Sequence, residues 1–265
     1  MDDLLQVDGL SLSFGGLRAV HGIRFSVKPG MIFSIIGPNG AGKTTIFNCI
    51  SGIYRPNEGR ISFAGRDITR LAPHAIARLG IARTFQNIEL FSRMTAMENI
   101  MLGRHVHMKR GLLRGAFMWG RRSAAAREEC ENRLVAERII DLLDLQSARD
   151  HFVGELPYGR QKLVELARAL ALEPTLLLLD EPSAGMNSEE KQDLIFWIKD
   201  IQEEMGITIL LIEHDMKMIM DISDRVLAIN FGEPIIEGAP AEVANHPDVL
   251  RAYLGEDQAD RKSVV

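Results

Sequence analysis

The sequence predicts an α/β protein: a mostly parallel sheet with helices on its faces, interrupted by a helical insertion. Three observations carry this reading. A glycine-rich loop sits between a short apolar run, Met31 to Ile36, and a helical stretch, Thr45 to Ile50. From Thr175 to residue 230, short apolar runs alternate with helical periods, the rhythm of parallel strands joined by crossover helices. Between about 87 and 158 that rhythm gives way to helical spacing.

Taken in order, Leu4 to Phe14 alternates as an edge strand should, and Ala19 to Val27 reads as a second strand ending at Lys28-Pro29-Gly30. After the loop helix, the turn Arg55 to Gly59 leads into a short strand, Arg60 to Phe63. A helix from Pro73 to Leu79 and a strand from Ile81 to Phe85 follow. The segment from Thr95 to Leu145 is mostly helical. It includes Ala124 to Leu145, with Leu134, Ile139, Leu142 and Leu143 at helical spacing. Leucine favours helix, but the run Thr175 to Leu179 is short and lies between Pro174 and Asp180-Glu181-Pro182, so it reads as a buried parallel strand. Helix 188–204, strand 207–212, helix 214–221 and strand 225–230 complete the alternation, and no internal repeat interrupts it. The polar end from Glu256 is expected to be mobile.

At 265 residues and 46% hydrophobic, the chain is large enough for a substantial core. A net charge of −5 supplies no global basic field for nucleic acid. The two cysteines, Cys49 and Cys130, lack CxxC spacing, which suits a reducing compartment rather than a metal site. The first residues carry no signal-peptide pattern, and no apolar run is long enough to span a bilayer. The expectation is a cytoplasmic protein, with any membrane role coming through docking to another chain.

Gly37-Pro38-Asn39-Gly40-Ala41-Gly42-Lys43-Thr44-Thr45 has the form GxxxxGK[ST]. Its glycines let successive N–H groups face inward, and a helix N-terminus follows, so the loop suits phosphate. Lys43 is placed to reach the β- and γ-phosphates and Thr44 to hold Mg²⁺. Asp180 and Glu181 end a strand where ligands gather in such sheets. Asp180 would hold the metal, directly or through water, and Glu181 would take a proton from an attacking water. Gln86, also at a strand end, could touch metal or water through its amide, although a lone glutamine there is commonly just polar surface. His214 could hydrogen-bond the γ-phosphate, with a structural histidine as the competing reading.

The order of phosphate loop, Gln86, Leu156-Pro157-Tyr158-Gly159-Arg160-Gln161, leucine strand with Asp180-Glu181, and His214 resembles the ATP-binding cassette ATPases over residues 5 to 254. The resemblance implies a single ABC-type domain over 1–255. Its P-loop NTPase core (1–86 and 159–255) would carry an N-terminal antiparallel β subdomain, with a helical subdomain at about 87–158 and a flexible tail at 256–265. It further implies that Phe14 stacks on adenine and that Ser183 to Asn187 crosses a dimer interface. Two domains would then sandwich two ATP molecules. Tyr158 and Gly159, at the start of a helix beginning near Arg160, would present N–H groups to the γ-phosphate on the opposite subunit. The family's usual signature is Leu-Ser-Gly-Gly-Gln. Here Pro157 has no hydroxyl for that contact, though proline suits a first helical turn.

Ala82 to Gln86, the Tyr158-Gly159 pair, Glu181 to Asn187, Ile212 to Lys217 and the ending Asn245 to Gly255 look like the branched-chain amino-acid import ATPases. That subfamily implies two similar ATPases, integral membrane permeases and an extracytoplasmic solute-binding protein, with this chain on the cytoplasmic face of the membrane. Its relatives also serve urea, amides and aromatic acids. Asn87 to Met94 should line the groove that receives the permease. Arg104 to Arg127 carries seven Lys or Arg and no acid; it reads as a solvated insertion or as a patch for lipid headgroups or the permease. A soluble ABC protein of DNA repair or translation is disfavoured by the single cassette, the lack of a long coiled coil and the acidic balance. A kinase or GTPase gives no reason for the Gly159 segment, and the guanine-reading Asn/Thr-Lys-x-Asp motif is missing.

Overall fold

The computed structural model of the chain describes residues 3–84, 86–107 and 124–260. The N-terminal strands β1 (Leu5–Phe14) and β2 (Leu17–Val27) form an antiparallel sheet with β4 (Glu58–Phe63) and the short β5 (Arg66–Asp67), in the order β2-β1-β4-β5. β1 is therefore internal, not an edge. Alternation assigns its faces but says nothing about how many neighbours it has, and β4 pairs along its free side.

The second sheet holds six strands: β3 (Ile32–Ile36), β6 (Ile81–Arg83), β7 (Leu176–Asp180), β8 (Thr208–Ile212), β9 (Arg225–Asn230) and β10 (Glu233–Gly238). They run in the order β10-β9-β3-β8-β7-β6, and every pairing except β9–β10 is parallel. The predicted parallel core is thus what the chain forms. Every residue of β3, β7 and β8 is buried. Leu177 and Leu179 pack into a core under the helices, while Leu176 and Leu178 pack into a core shared with the antiparallel sheet. Burial on both faces explains a strand of leucines; each contributes about 1.5–3 kcal/mol.

Helices α1 (Lys43–Ile50) and α2 (Pro73–Arg78) lie on the first half of the chain. α3 (Ala96–Gly103) and α4 (Ala124–Leu142) lie in the helical stretch, followed by α5 (Tyr158–Leu170). α6 (Ser188–Met205) and α7 (Met216–Ile222) alternate with the parallel strands, and α8 (Pro240–Ala244) and α9 (Pro247–Asp260) close the chain. α9 extends as helix through residues expected to belong to a mobile tail. Leu134, predicted for the packed face of α4, is 58% exposed, whereas Ala136, Ile139, Ile140 and Leu143 are buried, so the apolar stripe runs beside it.

The basic stretch 104–127 loses its first member as a surface cation. Arg104 is buried and donates to Asn132 Oδ1 at 2.8 Å and to Ala171 O at 2.9 Å, with Glu173 also 2.9 Å away. Residues 108–123 of that stretch, including Phe117 and Trp119, lie outside the described residues, as does Phe85. No helix among the described residues is long and apolar enough to cross a membrane.

Candidate functional site

Parallel register brings the predicted groups to one edge of the sheet. β8 lies between β3 and β7, with Ile35 level with Ile212 and Asp180 level with Ile212. The loop after β3, the acidic pair ending β7 and His214 beyond β8 therefore share the carboxyl edge, where α/β sheets bind ligands.

The loop from Gly37 to Gly42 is built for close backbone approach. A Cβ at Gly37 would come within 2.2 Å of Ile229 O, and one at Gly42 within 2.6 Å of Ala19 O at φ +102°. Only glycine fits both. Pro38 and Ala41 are buried, and Asn39 and Gly40 are exposed at the rim. α1 starts at Lys43 with no side-chain cap and no acid in its first turn, so its N-terminal N–H groups and positive end face the loop. The Lys43 ammonium is buried and donates to Gly37 O at 2.5 Å and Pro38 O at 3.0 Å. Thr44 is exposed and Thr45 half-buried beside it. The result is a glycine-rich turn wrapped on the Lys43 ammonium at an uncapped helix N-terminus, a setting whose chemistry suits a polyphosphate.

Asp180 is 1% exposed. Its Oδ2 accepts from Arg83 Nη2 at 2.8 Å, while Oδ1 has no hydrogen-bond partner among the described residues. Burial pushes its pKa up, against the pull of Arg83, Lys162 and Lys43. Arg83 itself donates to Asn48 Oδ1 at 2.6 Å and Ser51 Oγ at 3.0 Å, fastening Asp180 to α1. An orphaned, buried carboxylate oxygen beside a phosphate cradle fits the chemistry of a hard divalent cation.

Glu181 is half-buried and holds φ +48°, a conformation disfavoured for a side chain this size and costing about 1–3 kcal/mol. Its N–H donates to Ile212 O at 2.9 Å, and its Oε2 accepts from Gln86 Nε2 at 3.0 Å. The structure thus brings Gln86 and Glu181 together at the carboxyl ends of the neighbouring parallel strands β6 and β7. His214 shares that edge but bonds to neither of them. Its side chain is 55% exposed, its N–H donates to Glu213 Oε2 at 3.1 Å, and its ring nitrogen lies 3.8 Å from the same oxygen. Phe14, 47% exposed, meets Tyr54 edge-on with centroids 5.1 Å apart.

Tyr158 and Gly159 occupy the first turn of α5. The helix begins at Tyr158, with Pro157 as its N-cap, rather than near Arg160. Gly159 is buried, and a Cβ there would meet Glu190 Oε1 at 2.4 Å. The Tyr158 ring covers Gly185, at φ +78° in the loop that follows Glu181.

The ABC transporter family profile matches residues 20–184, and a profile of branched-chain amino acid ATP-binding cassette transporters matches residues 233–259. The chain belongs to the ABC transporter ATPase family. Among its relatives, the high-affinity branched-chain amino acid transport ATP-binding protein BraF of Pseudomonas aeruginosa is 44% identical over 253 residues, 96% of this chain and 98% of the relative. The corresponding LivG of Escherichia coli K12 is 42% identical over the same shares. The crystal structure of the ADP conformation of MJ1267, an ATP-binding cassette of an ABC transporter, matches with TM-score 0.82 at 32% identity, covering 96% of this chain and all of that one. The dimeric structure of MJ0796, a bacterial ABC transporter cassette, matches with TM-score 0.74 at 25% identity over 89% of this chain and 98% of that one.

Several residues around the candidate site gave little or no signal of their contacts in the sequence. Lys162 is buried in α5, and its Nζ donates to Gln86 O at 2.6 Å. Glu213 is fully buried and accepts from Ser183 N at 2.9 Å as well as from His214. Arg83, Tyr54 and Glu190 join them. Lys162 lies between Gln161 and Leu163 in a helix whose apolar stripe hides it, so only the fold reveals the contact. Glu213 alone had a clue: a carboxylate directly at the end of an apolar strand.

Proposed function

We propose that this cassette is the ATP-hydrolysing subunit of an importer that takes up branched-chain amino acids, working with a second ATPase subunit, integral membrane permeases and an extracytoplasmic solute-binding protein. The observation that carries the ATPase chemistry is the convergence of the Lys43 cradle, Asp180 and the Gln86–Glu181 contact on one sheet edge. The names of the relatives and the match at residues 233–259 support the cargo. Urea, amides and aromatic acids are the competing cargoes.

In this reading ATP is the substrate. Phe14, propped by Tyr54, stacks on adenine. The loop N–H groups from Gly37 to Thr45 and the Lys43 ammonium bind the β- and γ-phosphates. Thr44, Gln86 and Asp180 would hold Mg²⁺, which when bound supplies charge neutralisation at those phosphates. Glu181 accepts the proton of the attacking water and Gln86 orients its carboxylate, while His214 hydrogen-bonds the γ-phosphate. Tyr158 and Gly159 complete the pocket of the second subunit with the N-terminal dipole of α5. The permease docks on the groove beside residues 87–94, where Phe91 and Phe152 are 58% and 49% exposed. Asn99 braces that groove by accepting from Phe91 N at 2.9 Å and donating to Phe91 O at 3.1 Å. The cassette would sit peripherally on the cytoplasmic face of the membrane.

The test is reconstitution in proteoliposomes with a partner ATPase subunit, permeases and binding protein of the branched-chain amino-acid type from the same organism. ATP-dependent uptake of leucine, isoleucine and valine, abolished by Glu181→Gln, is expected. Uptake of urea or an aromatic acid with none of branched-chain amino acids would replace the cargo and leave the ATPase intact.

A further inference from the structure

Burying a lysine is costly unless its ammonium finds acceptors. Lys162 is 5% exposed, set among Leu163, Val164 and Leu166 on α5. Burial pulls its pKa down, opposed by the surrounding carboxylates, first Glu165 and then Asp180, Glu181 and Glu213. Its ammonium is aimed: Nζ donates to the main-chain carbonyl of Gln86 at 2.6 Å and lies 6.0 Å from the Tyr158 ring centroid, one turn back along the helix. The same helix face continues the grip. Glu165 Oε1 faces Glu89 N at 3.5 Å, and Arg168 donates to Glu89 O at 2.6 Å. Residues three apart on a helix share a face, so three side chains of α5 hold the backbone of residues 86–89.

We propose that Lys162 is a positioning residue that ties the main chain of Gln86 to the turn bearing Tyr158 and Gly159. The Gln86 amide on Glu181 and the first turn of α5 then move as one body. When a second subunit's nucleotide engages that turn, the displacement reaches Glu181 through the Lys162–Gln86 bond rather than dissipating in a loose loop. A methionine would fill the same volume; what lysine adds is the donor. The inference rests on the proposed role of Gln86 in hydrolysis.

The experiment compares wild-type protein with Lys162→Met and Lys162→Arg, reading ATP binding by a fluorescent analogue, steady-state hydrolysis, and amide hydrogen exchange of residues 86–94. The expected result for Lys162→Met is a kcat lowered about tenfold with KM and nucleotide affinity within about twofold of wild type. Exchange of the 86–94 segment should rise about tenfold while α1 and β7 stay protected. Lys162→Arg, which keeps a donor, should recover most of the turnover. Unchanged exchange at 86–94, or an even rise across the whole chain, would overturn the proposal. Should Lys162→Met fail to fold, Arg168→Met carries the same exchange test, and unchanged protection of 86–94 there counts equally against it. A wild-type protein without ATPase activity would reject the hydrolytic reading, and the exchange data would still decide whether Lys162 holds the segment.

Discussion

The two oxygens of Asp180 have different fates: Arg83 takes Oδ2, and Oδ1 has no partner among the described residues. In the proposed site that division aims Oδ1 at the metal, so Arg83→Lys, which loses the planar fork, should raise the Mg²⁺ concentration needed for half-maximal ATP binding by about 10-fold or more. Metal-free nucleotide affinity should stay unchanged; an unaltered Mg²⁺ titration would show that Arg83 serves the fold alone. Removing the charge with Arg83→Met should cost about 3–5 kcal/mol in urea unfolding, because the pair is 8% and 1% exposed and Asp180 would remain buried without its cation. Lys43→Ala deletes the ammonium at the centre of the cradle, a charge-assisted contact worth about 1.5–3 kcal/mol, so nucleotide affinity should fall about 10–100-fold by calorimetry. Retained affinity would contradict the phosphate assignment. Lys43 was legible because its partners are the loop's own residues, bound by a fixed local spacing. Arg83, Lys162 and Glu213 were not, because Arg83 meets Asp180 across 97 residues of chain, Lys162 meets Gln86 across 76 and Glu213 meets Ser183 across 30.

Elements were legible where burial imposes a pattern and obscure where neighbours decide. β7 could be read from its length and its flanking prolines, yet β10, α8 and α9 went unread because their mixed polar and apolar runs gain definition only by packing on β9 and α7. The helix expected at 214–221 begins instead at Met216, because Asp215 turns its carboxylate onto the N–H groups of Lys217 and Met218 at 3.1 and 3.3 Å and so becomes the cap. Asp215 also joins two elements, accepting from Lys191 of α6 at 2.9 Å. The Lys191 hydrogen bond, with the α7 amides, holds its pKa below the ordinary 3.8. A carboxylate with a depressed folded pKa lends stability that is present above its unfolded value and lost as pH falls through the folded one. Urea midpoints of the wild type should therefore decline below about pH 4 more steeply than those of Asp215→Asn, which keeps a cap but not the charge. Asp215→Ala should cost about 1–2 kcal/mol at neutral pH, and parallel acid limbs for wild type and Asn would remove the ion pair from the account.

At the scale of the molecule, the proposed function uses two places on one chain: the Lys43 loop at the sheet edge, and the first turn of α5 with Tyr158 and Gly159. In the proposed arrangement each nucleotide touches the Lys43 loop of one copy and the α5 turn of the other, so nucleotide becomes the link between copies and assembly depends on its occupancy. Glu181→Gln should slow hydrolysis by about 10²–10⁴. With ATP it should then sediment as a dimer, and with ADP as a monomer. The decisive variant adds Gly159→Asp to Glu181→Gln. The new carboxylate lies at the positive end of α5, where it competes with a partner's γ-phosphate, and next to Glu190, whose Oε1 is 2.4 Å from where a Cβ at 159 would sit. Nothing in the cradle changes, so ATP should bind with the affinity of Glu181→Gln alone. Dimers should disappear at the same protein and nucleotide concentrations. Gly159→Ala separates sterics from charge, since the Glu190 carboxylate, which accepts from Asn187 N at 2.9 Å, must shift for a methyl group without a new charge; it should retain most of the dimer. Persistence of the dimer in the Asp variant would mean that the α5 N-terminus does not receive the partner's phosphate and that the copies associate through some other surface.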